Sequence, residues 1–174
     1  MKILSFKLKL ILIICLSSFL LSSCKISFKF NGSNLDYTKT KTISIADFPN
    51  KAELVYPPFS QQFSEALKDV YIKQTRLQLL KKAGDLNLEG EIVGYQLTPM
   101  AIGADSYSSQ TKLTVTIKVR FSNNKTPQDD FDRTYTAFRT FDSSKLLTTV
   151  QDELLKVMIA EIVDNIYNDT VAKW

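Results

Sequence analysis

The chain has 174 residues, with 22 Lys and Arg against 18 Asp and Glu, two cysteines and no histidine. The lack of histidine removes the commonest general base, the catalytic arrangements built on it and the commonest transition-metal ligand. The acidic pairs Asp129-Asp130 and Asp152-Glu153 fit solvated or structural roles, the second in a first helical turn, where acids favour the dipole. We therefore predict a protein that is not an enzyme and that has no metal or other cofactor.

The N-terminus predicts a lipoprotein signal peptide over residues 1–23. Three lysines among residues 1–9 precede or overlap an almost wholly apolar run from Leu8 to Leu21, which is the order of the charged and hydrophobic regions of a signal peptide. The run of about 14 residues, at ~1.5 Å each, is too short to cross a hydrocarbon core of ~30 Å. Leu21-Ser22-Ser23-Cys24 has the small residues and the cysteine at which a bacterial lipoprotein peptidase cuts. Cys24 is the predicted lipid-attachment residue, and an ordinary secretory signal with a chance cysteine is the alternative.

Cleavage before Cys24 changes what the composition implies. It removes three lysines, which lowers the net charge from +4 to +1, or 19 cations against 18 acids. So small an excess of charge argues against nucleic acid as a partner. Cys15 leaves with the signal, so the mature chain has no pair of cysteines for a disulfide. We interpret residues 24–40 as a lipid anchor and polar tether, and residues 41–174 as one domain.

The domain begins with a predicted strand and a predicted helix. Apolar residues between polar ones predict a strand over Thr42–Phe48. After Pro57-Pro58, apolar residues at helical spacing predict an amphipathic helix of about 16 to 20 residues. Leu77–Leu80 is interpreted as the end of that helix.

Two further strands follow. Asp85–Pro99 predicts a long strand with a bend near Gly90 or Gly94, because glycines inside strands often mark bulges. Lys112–Phe121 alternates strictly between apolar and polar residues, which predicts one buried face and one wet face.

The last part of the chain predicts a strand and a helix. Phe131–Phe141 has strand composition, with a phase slip near Ala137-Phe138, and is expected to pair with the preceding strand as an antiparallel hairpin. Thr148 or Thr149 is expected to cap the final helix. The apolar positions of that helix follow the helical period and form a wide face: Val150, Leu154, Leu155, Val157, Met158, Ile159, Ile162, Val163 and Ile166.

The predicted order of elements is β-α-β-β-β-α. An α+β two-layer sandwich satisfies this order, with two helices on one face of a mostly antiparallel four-stranded sheet. Thr114, Thr116, Lys118 and Arg120 then leave the other face of the sheet polar.

Several residue runs resemble the LptE family of lipopolysaccharide-assembly lipoproteins, in its Bacteroidetes-type form. They stand in order behind the predicted lipid-attachment site and cover nearly all of the mature chain. The runs are Thr42–Ile45, Phe48–Asn50, Phe63–Asp69, Gly84–Leu86, Glu89–Ile92, Gly94-Tyr95, Phe121–Lys125, Phe141–Ser144 and Asp152–Leu154.

The resemblance implies an outer-membrane lipoprotein that plugs the large β-barrel LptD, helps to assemble it and assists insertion of lipopolysaccharide into the outer leaflet. It also implies that the domain faces the periplasm, because no acidic run follows Cys24. Lipopolysaccharide is a candidate direct ligand. If cations on one face of the sheet meet its phosphates, the candidates are Lys112, Lys118, Arg120, Arg133 and Arg139, with a merely solvated face as the alternative interpretation.

Two other functions stay open from the sequence. A periplasmic lipid- or ligand-binding lipoprotein would have an apolar pocket that takes up an acyl chain without a partner. A pilot lipoprotein for another envelope complex would instead bind an unrelated envelope partner.

Overall fold

A mixed five-stranded sheet with two helices on one face forms the domain. The computed structural model describes residues 35–100 and 109–172. The predicted signal peptide and Cys24 lie outside the described residues. The α+β two-layer sandwich is confirmed, and the strand count is five where the sequence predicts four.

The elements follow one another in a simple order along the chain. The strands are β1 (Thr42–Ile45), β2 (Gln78–Leu80), β3 (Leu86–Pro99), β4 (Gln110–Asn123) and β5 (Phe131–Asp142). Helix α1 (Pro57–Gln74) lies between β1 and β2, and helix α2 (Leu147–Thr170) follows β5. A 3₁₀ turn, Pro127–Asp129, joins β4 to β5.

The sheet has the strand order β2-β1-β3-β4-β5. β1 runs parallel to both of its neighbours, whereas β3, β4 and β5 form an antiparallel meander. The interpretation of Leu77–Leu80 as the end of α1 is wrong, because Gln78–Leu80 is the edge strand β2. A three-residue edge strand gives too short a pattern for periodicity to separate it from a helix end.

Residues 81–84 form a strap from β2 to β3 that crosses β1. Gly84 lies directly against the backbone of β1, since a Cβ added there would be 2.6 Å from the nitrogen of Ser44. Asn87 accepts a hydrogen bond from the Gly84 N–H and donates one to its carbonyl, each 3.1 Å long. A glycine at this position therefore lets the strap pack onto β1.

β3 and β4 form the longest pairing in the sheet. The register shifts between Ile92 and Gly94, so the predicted irregularity is found beside the second of the two glycines. The β4–β5 register is continuous from Gln110 opposite Asp142 to Phe121 opposite Phe131, and the predicted phase slip is absent. Phe138 is a large apolar side chain on the solvent side, 57% exposed. An apolar residue at an outward position makes the alternation look as if it changes phase, although the strand does not.

The two helices lie side by side and run in the same direction. Near their starts, Tyr56 donates a 2.6 Å hydrogen bond to Asp152. Near their ends, the hydroxyls of Tyr71 and Thr170 lie 2.5 Å apart in the core. The predicted cap by Thr148 or Thr149 is wrong: Leu146 precedes the first helical residue, and no side chain caps α2.

One hydrophobic core lies between the helices and the inner face of the sheet. Its members alternate along β4 and recur at helical spacing along α1 and α2; the fully buried ones include Ile43, Phe48, Phe59, Phe63, Leu67, Leu86, Ile92, Leu113, Ile117, Phe121, Leu155, Met158 and Ile166. Leu35 and Tyr37 also pack against this core. Ordered packing therefore reaches back into the segment interpreted as tether.

Among the described residues, neither helix is long and apolar enough to span a membrane.

Candidate functional site

The side of the sheet away from the helices, called here the outer face, is polar. Residues of β4 and β5 that alternate with core residues point to this side, so their positions follow from the register and the two-residue period of a strand. The outer-face residues of these two strands are Gln110, Lys112, Thr114, Thr116, Lys118, Arg120, Ser122, Asp132, Thr134, Thr136, Phe138, Thr140 and Asp142. No helix of the described residues packs on this face.

Lys118 and Arg120 lie in a ladder of opposite charges across three strands. Arg120 faces Glu89 on β3 and Asp132 on β5, with N–O distances of 3.5 Å and 3.6 Å. Lys118 is 3.7 Å from Asp132 and faces Glu91. Cross-strand pairs of opposite charge stabilise a sheet, and these acids reduce the attraction of both cations for a further anion.

These charges line a shallow recess of about 380 Å³ that also contains Ala46 and Gly90. The recess has three carboxylates, Glu89, Glu91 and Asp132, against two cations. No group of three or more acidic, His or Cys residues in the described part of the chain could hold a metal ion.

Lys112 has a different environment at the other end of the outer face. Its Nζ lies 5.7 Å from the ring centre of exposed Phe138, and it faces Thr98 and Thr140 on the flanking strands. No ion pair of Lys112 is found among the described residues. A cation beside an exposed ring and threonine hydroxyls can meet both a phosphate and an apolar group.

Arg133 and Arg139 lie on the helix side of β5, so the five candidate cations do not share one face. Arg133 donates a 2.8 Å hydrogen bond to Asp169, which also accepts one of 2.7 Å from the Tyr135 hydroxyl. Arg139 donates one of 2.6 Å to Glu161. Both acids belong to α2, so these arginines join β5 to that helix.

The Asp169 carboxylate raises the pKa of both of its donors. Its hydrogen bond raises the pKa of Arg133 above the ordinary value. The pKa of Tyr135 is raised first by burial and then by the same carboxylate. Both groups therefore stay protonated at neutral pH and hold the contact between β5 and α2.

The alternation of odd and even positions along each strand distinguishes these arginines from the other candidate cations. Arg133 and Arg139 have the same parity as Tyr135 and Ala137, the two buried residues of β5. Lys112, Lys118 and Arg120 alternate with the buried residues of β4. A strict two-residue period on β5 places the arginines inside, but the supposed slip near Phe138 obscured this pattern.

A groove of about 490 Å³ runs between α1 and α2 on the side away from the sheet. Ala66, Val70, Ile159, Ala160 and Val163 give it an apolar floor, with charged residues along both edges. This groove is the feature that a lipid-binding module would use. Val157, expected in the apolar face of α2, lies 48% exposed.

The two acidic pairs of the sequence have structural contacts. Asp130 accepts a 2.6 Å hydrogen bond from the backbone N–H of Asn123, which closes the turn between β4 and β5. Asp152 accepts the hydrogen bond of Tyr56 described above. One acid of each pair is thus bound to a neighbouring element of the fold.

Comparison with known proteins identifies one family. The model of the family LptE, described as lipopolysaccharide-assembly, matches residues 40–170. No curated protein matches the sequence.

Solved structures are similar to this chain at low sequence identity. A protein of Xanthomonas campestris has a TM-score of 0.50 at 10% identity, over 73% of this chain and 81% of its own. A minor lipoprotein of Acinetobacter baumannii has a TM-score of 0.48 at 16% identity, over 73% and 89%. An uncharacterised lipoprotein B of Nitrosomonas europaea has a TM-score of 0.43 at 16% identity, over 73% and 79%.

Proposed function

This chain belongs to the LptE family of lipopolysaccharide-assembly proteins, and on that premise we propose that it is an outer-membrane lipoprotein that plugs and helps to assemble an LptD-type β-barrel. The family match over residues 40–170 carries the proposal. In this role the protein assists insertion of lipopolysaccharide into the outer leaflet and catalyses no reaction. The residue runs of its sequence favour the Bacteroidetes-type form of the family.

The proposal includes a lipid anchor at Cys24. Removal of residues 1–23 makes this cysteine the first residue of the mature protein, which faces the periplasm from the outer membrane. Several acyl chains hold a protein stably, whereas one chain alone binds a membrane marginally.

The polar outer face supports a position inside a barrel. The lumen of a large outer-membrane barrel is polar, and the threonines and the paired charges of Lys118 and Arg120 on this face can meet such a wall without burying an unpaired charge. An apolar face would instead require a lipid or an apolar partner surface.

Among the candidate contacts to lipopolysaccharide, Lys112 is the strongest. Lys118 and Arg120 are opposed by carboxylates on both neighbouring strands. Arg133 and Arg139 are bound to acids of α2 on the opposite side of the sheet. Lys112 is left with an exposed ring and hydroxyl neighbours, which suits a phosphate that carries acyl chains.

Affinity purification of the acylated protein from detergent-solubilised envelopes tests the proposal, with another tagged lipoprotein of the same cells as control. We expect one large outer-membrane β-barrel in roughly equal amount, and none with the control. Recovery of the protein alone, or with a different envelope complex, contradicts the plug. Depletion of the protein with normal surface lipopolysaccharide also contradicts it and favours a pilot role.

A further inference from the structure

Four cations cluster at the edge of the sheet where the described chain begins. They are Lys41, Arg76, Lys81 and Lys82, called here the basal cations. None of their side chains has a hydrogen bond or ion pair to another described residue. Each is exposed.

Backbone contacts place the basal cations along the edge strand β2 and the segments that flank it. The Gln78 N–H donates a 2.8 Å hydrogen bond to the carbonyl of Lys41, so Arg76 lies two residues from that contact. Lys81 and Lys82 follow the other end of this three-residue strand, where the strap begins. The strap returns to Asp85, whose carboxylate accepts a hydrogen bond from the Lys41 N–H.

Nearby acids do not neutralise this cluster. Asp36 pairs with Lys39, Asp85 pairs with Lys125, and Glu89, which lines a recess with Lys81 and Lys82, pairs with Arg120. The other cations of the described chain without an ion pair are Lys51, Lys112, Lys145 and Lys156, which lie on separate elements or connections. The basal edge therefore has an excess of positive charge.

The predicted lipid-attachment residue is close in sequence to the basal cations, so a membrane surface is within their reach. Leu35, the first described residue, packs against the core six residues before Lys41, and Cys24 precedes Leu35 by 11 residues. An extended segment of that length spans at most about 40 Å. A lipid on Cys24 thus keeps the basal edge near the membrane at high effective concentration.

We propose that the basal cations bind the anionic phospholipid headgroups of the leaflet that holds the anchor, and so orient the domain with its basal edge toward the membrane. The inference rests on the lipid attachment proposed above but requires neither the barrel nor lipopolysaccharide. Cations beside an anionic leaflet are attracted within a Debye length, about 8–10 Å at physiological salt. The opposite end of the sheet, where β5 leads into Lys145, then points away from the membrane.

Amine labelling of the acylated protein in vesicles tests this orientation. The vesicles contain phosphatidylcholine alone or phosphatidylcholine mixed with phosphatidylglycerol, and mass spectrometry gives the labelling rate of each lysine. We expect Lys41, Lys81 and Lys82 to label several-fold more slowly in the anionic vesicles, while Lys145 labels at the same rate in both. High salt should remove the difference. The proposal would be overturned if the labelling rates in the two kinds of vesicle had the same ratio at every lysine, or if the anionic vesicles protected Lys145 more than the basal lysines.

A pair of charge-reversal variants provides the matched control. Lys81→Glu with Lys82→Glu should abolish the protection of Lys41, because each basal cation strengthens the surface contact by about five-fold. Lys51→Glu with Lys145→Glu changes the net charge equally and should preserve it. Equal protection of Lys41 in both variants would contradict a local surface contact. The vesicle experiment contains no barrel, so its outcome does not depend on whether the purification recovers one. Either proposal can therefore be refuted without the other.

Discussion

At the scale of single residues, Asp85 joins the starts of β1 and β3. Its Oδ2 accepts hydrogen bonds from the backbone N–H groups of Lys41 and Thr42, 2.9 Å and 3.1 Å long, and from the Thr42 hydroxyl, 2.9 Å long. Lys125 Nζ lies 3.0 Å from Oδ1. The Lys41 N–H first, and then Lys125, hold the pKa of Asp85 well below its ordinary value. Asp85 is therefore ionised in the folded protein throughout the physiological range.

Asp85→Asn should lower the free energy of unfolding at pH 7 by about 1–3 kcal/mol, because hydrogen bonds to a charged group are lost. A depressed folded pKa contributes stability above the unfolded pKa of ~3.9 and loses it as the pH falls below that value. The deficit of the variant should therefore shrink in acid. Urea unfolding at pH 7 and at pH 3 measures this, with Asp47→Asn, which changes a mostly exposed carboxylate, as control. A constant deficit at both pH values would contradict the assignment.

Gly90→Ala should destabilise the domain by about 3 kcal/mol, because overpacking a tight site forces the backbone apart. An added Cβ would lie 2.1 Å from the Lys118 carbonyl oxygen and 2.5 Å from a ring carbon of Phe48. At Gly94 the nearest atom is the Thr116 Cβ at 2.9 Å, so Gly94→Ala is the milder control. Thermal unfolding of both variants checks the order, and equal effects would refute it.

At the scale of elements, the long segments with a clear periodicity were predicted correctly, whereas the short edge strand was not. β4 alternates over its whole length and α1 has a long amphipathic pattern, so both were correct with small differences in bounds. β2 has three residues and was missed, because its partner β1 is distant in sequence. β5 was predicted, but the faces of Arg133 and Arg139 were not, because Phe138 interrupts its apparent alternation.

Tyr71→Phe should cost about 1–2 kcal/mol, since it removes a buried hydrogen bond between the ends of α1 and α2 and leaves Thr170 without that partner. Burial raises the pKa of Tyr71 far above its usual range, so the hydroxyl stays neutral. Tyr56→Phe, which removes the exposed contact at the starts of the same helices, should have little effect. Chemical denaturation of the two variants compares them, and a larger loss for Tyr56→Phe would contradict this packing.

At the scale of the whole molecule, the two faces of the sheet have different environments. The inner face packs against both helices, and its side chains form the core. The outer face has paired charges at one end and Lys112 with Phe138 at the other. The basal cations lie along the edge strand β2 and the segments beside it, near the start of the described domain.

Lys112→Ala should weaken binding of purified lipopolysaccharide about five-fold or more, since a charge-assisted contact to phosphate is lost. Lys156→Ala, which removes a cation from the helix side, is the matched control and should bind normally. Lys118→Ala should have a smaller effect than Lys112→Ala, because Lys118 is already opposed by carboxylates. Immobilised lipopolysaccharide with each purified variant measures this, and unchanged binding by Lys112→Ala would exclude the outer-face site.

The sequence by itself determined the α+β class, the long strands, both helices and the membership of a lipopolysaccharide-assembly family. Those conclusions depend on local periodicity and on residue runs, which need no knowledge of which segments meet. Tertiary structure alone decided the place of β2 and the pairing of Lys118 and Arg120 with acids, and it showed that β5 keeps one phase throughout, which places Arg133 and Arg139 on the helix side. Such features depend on the register between paired strands, where one residue of offset moves a side chain to the opposite face.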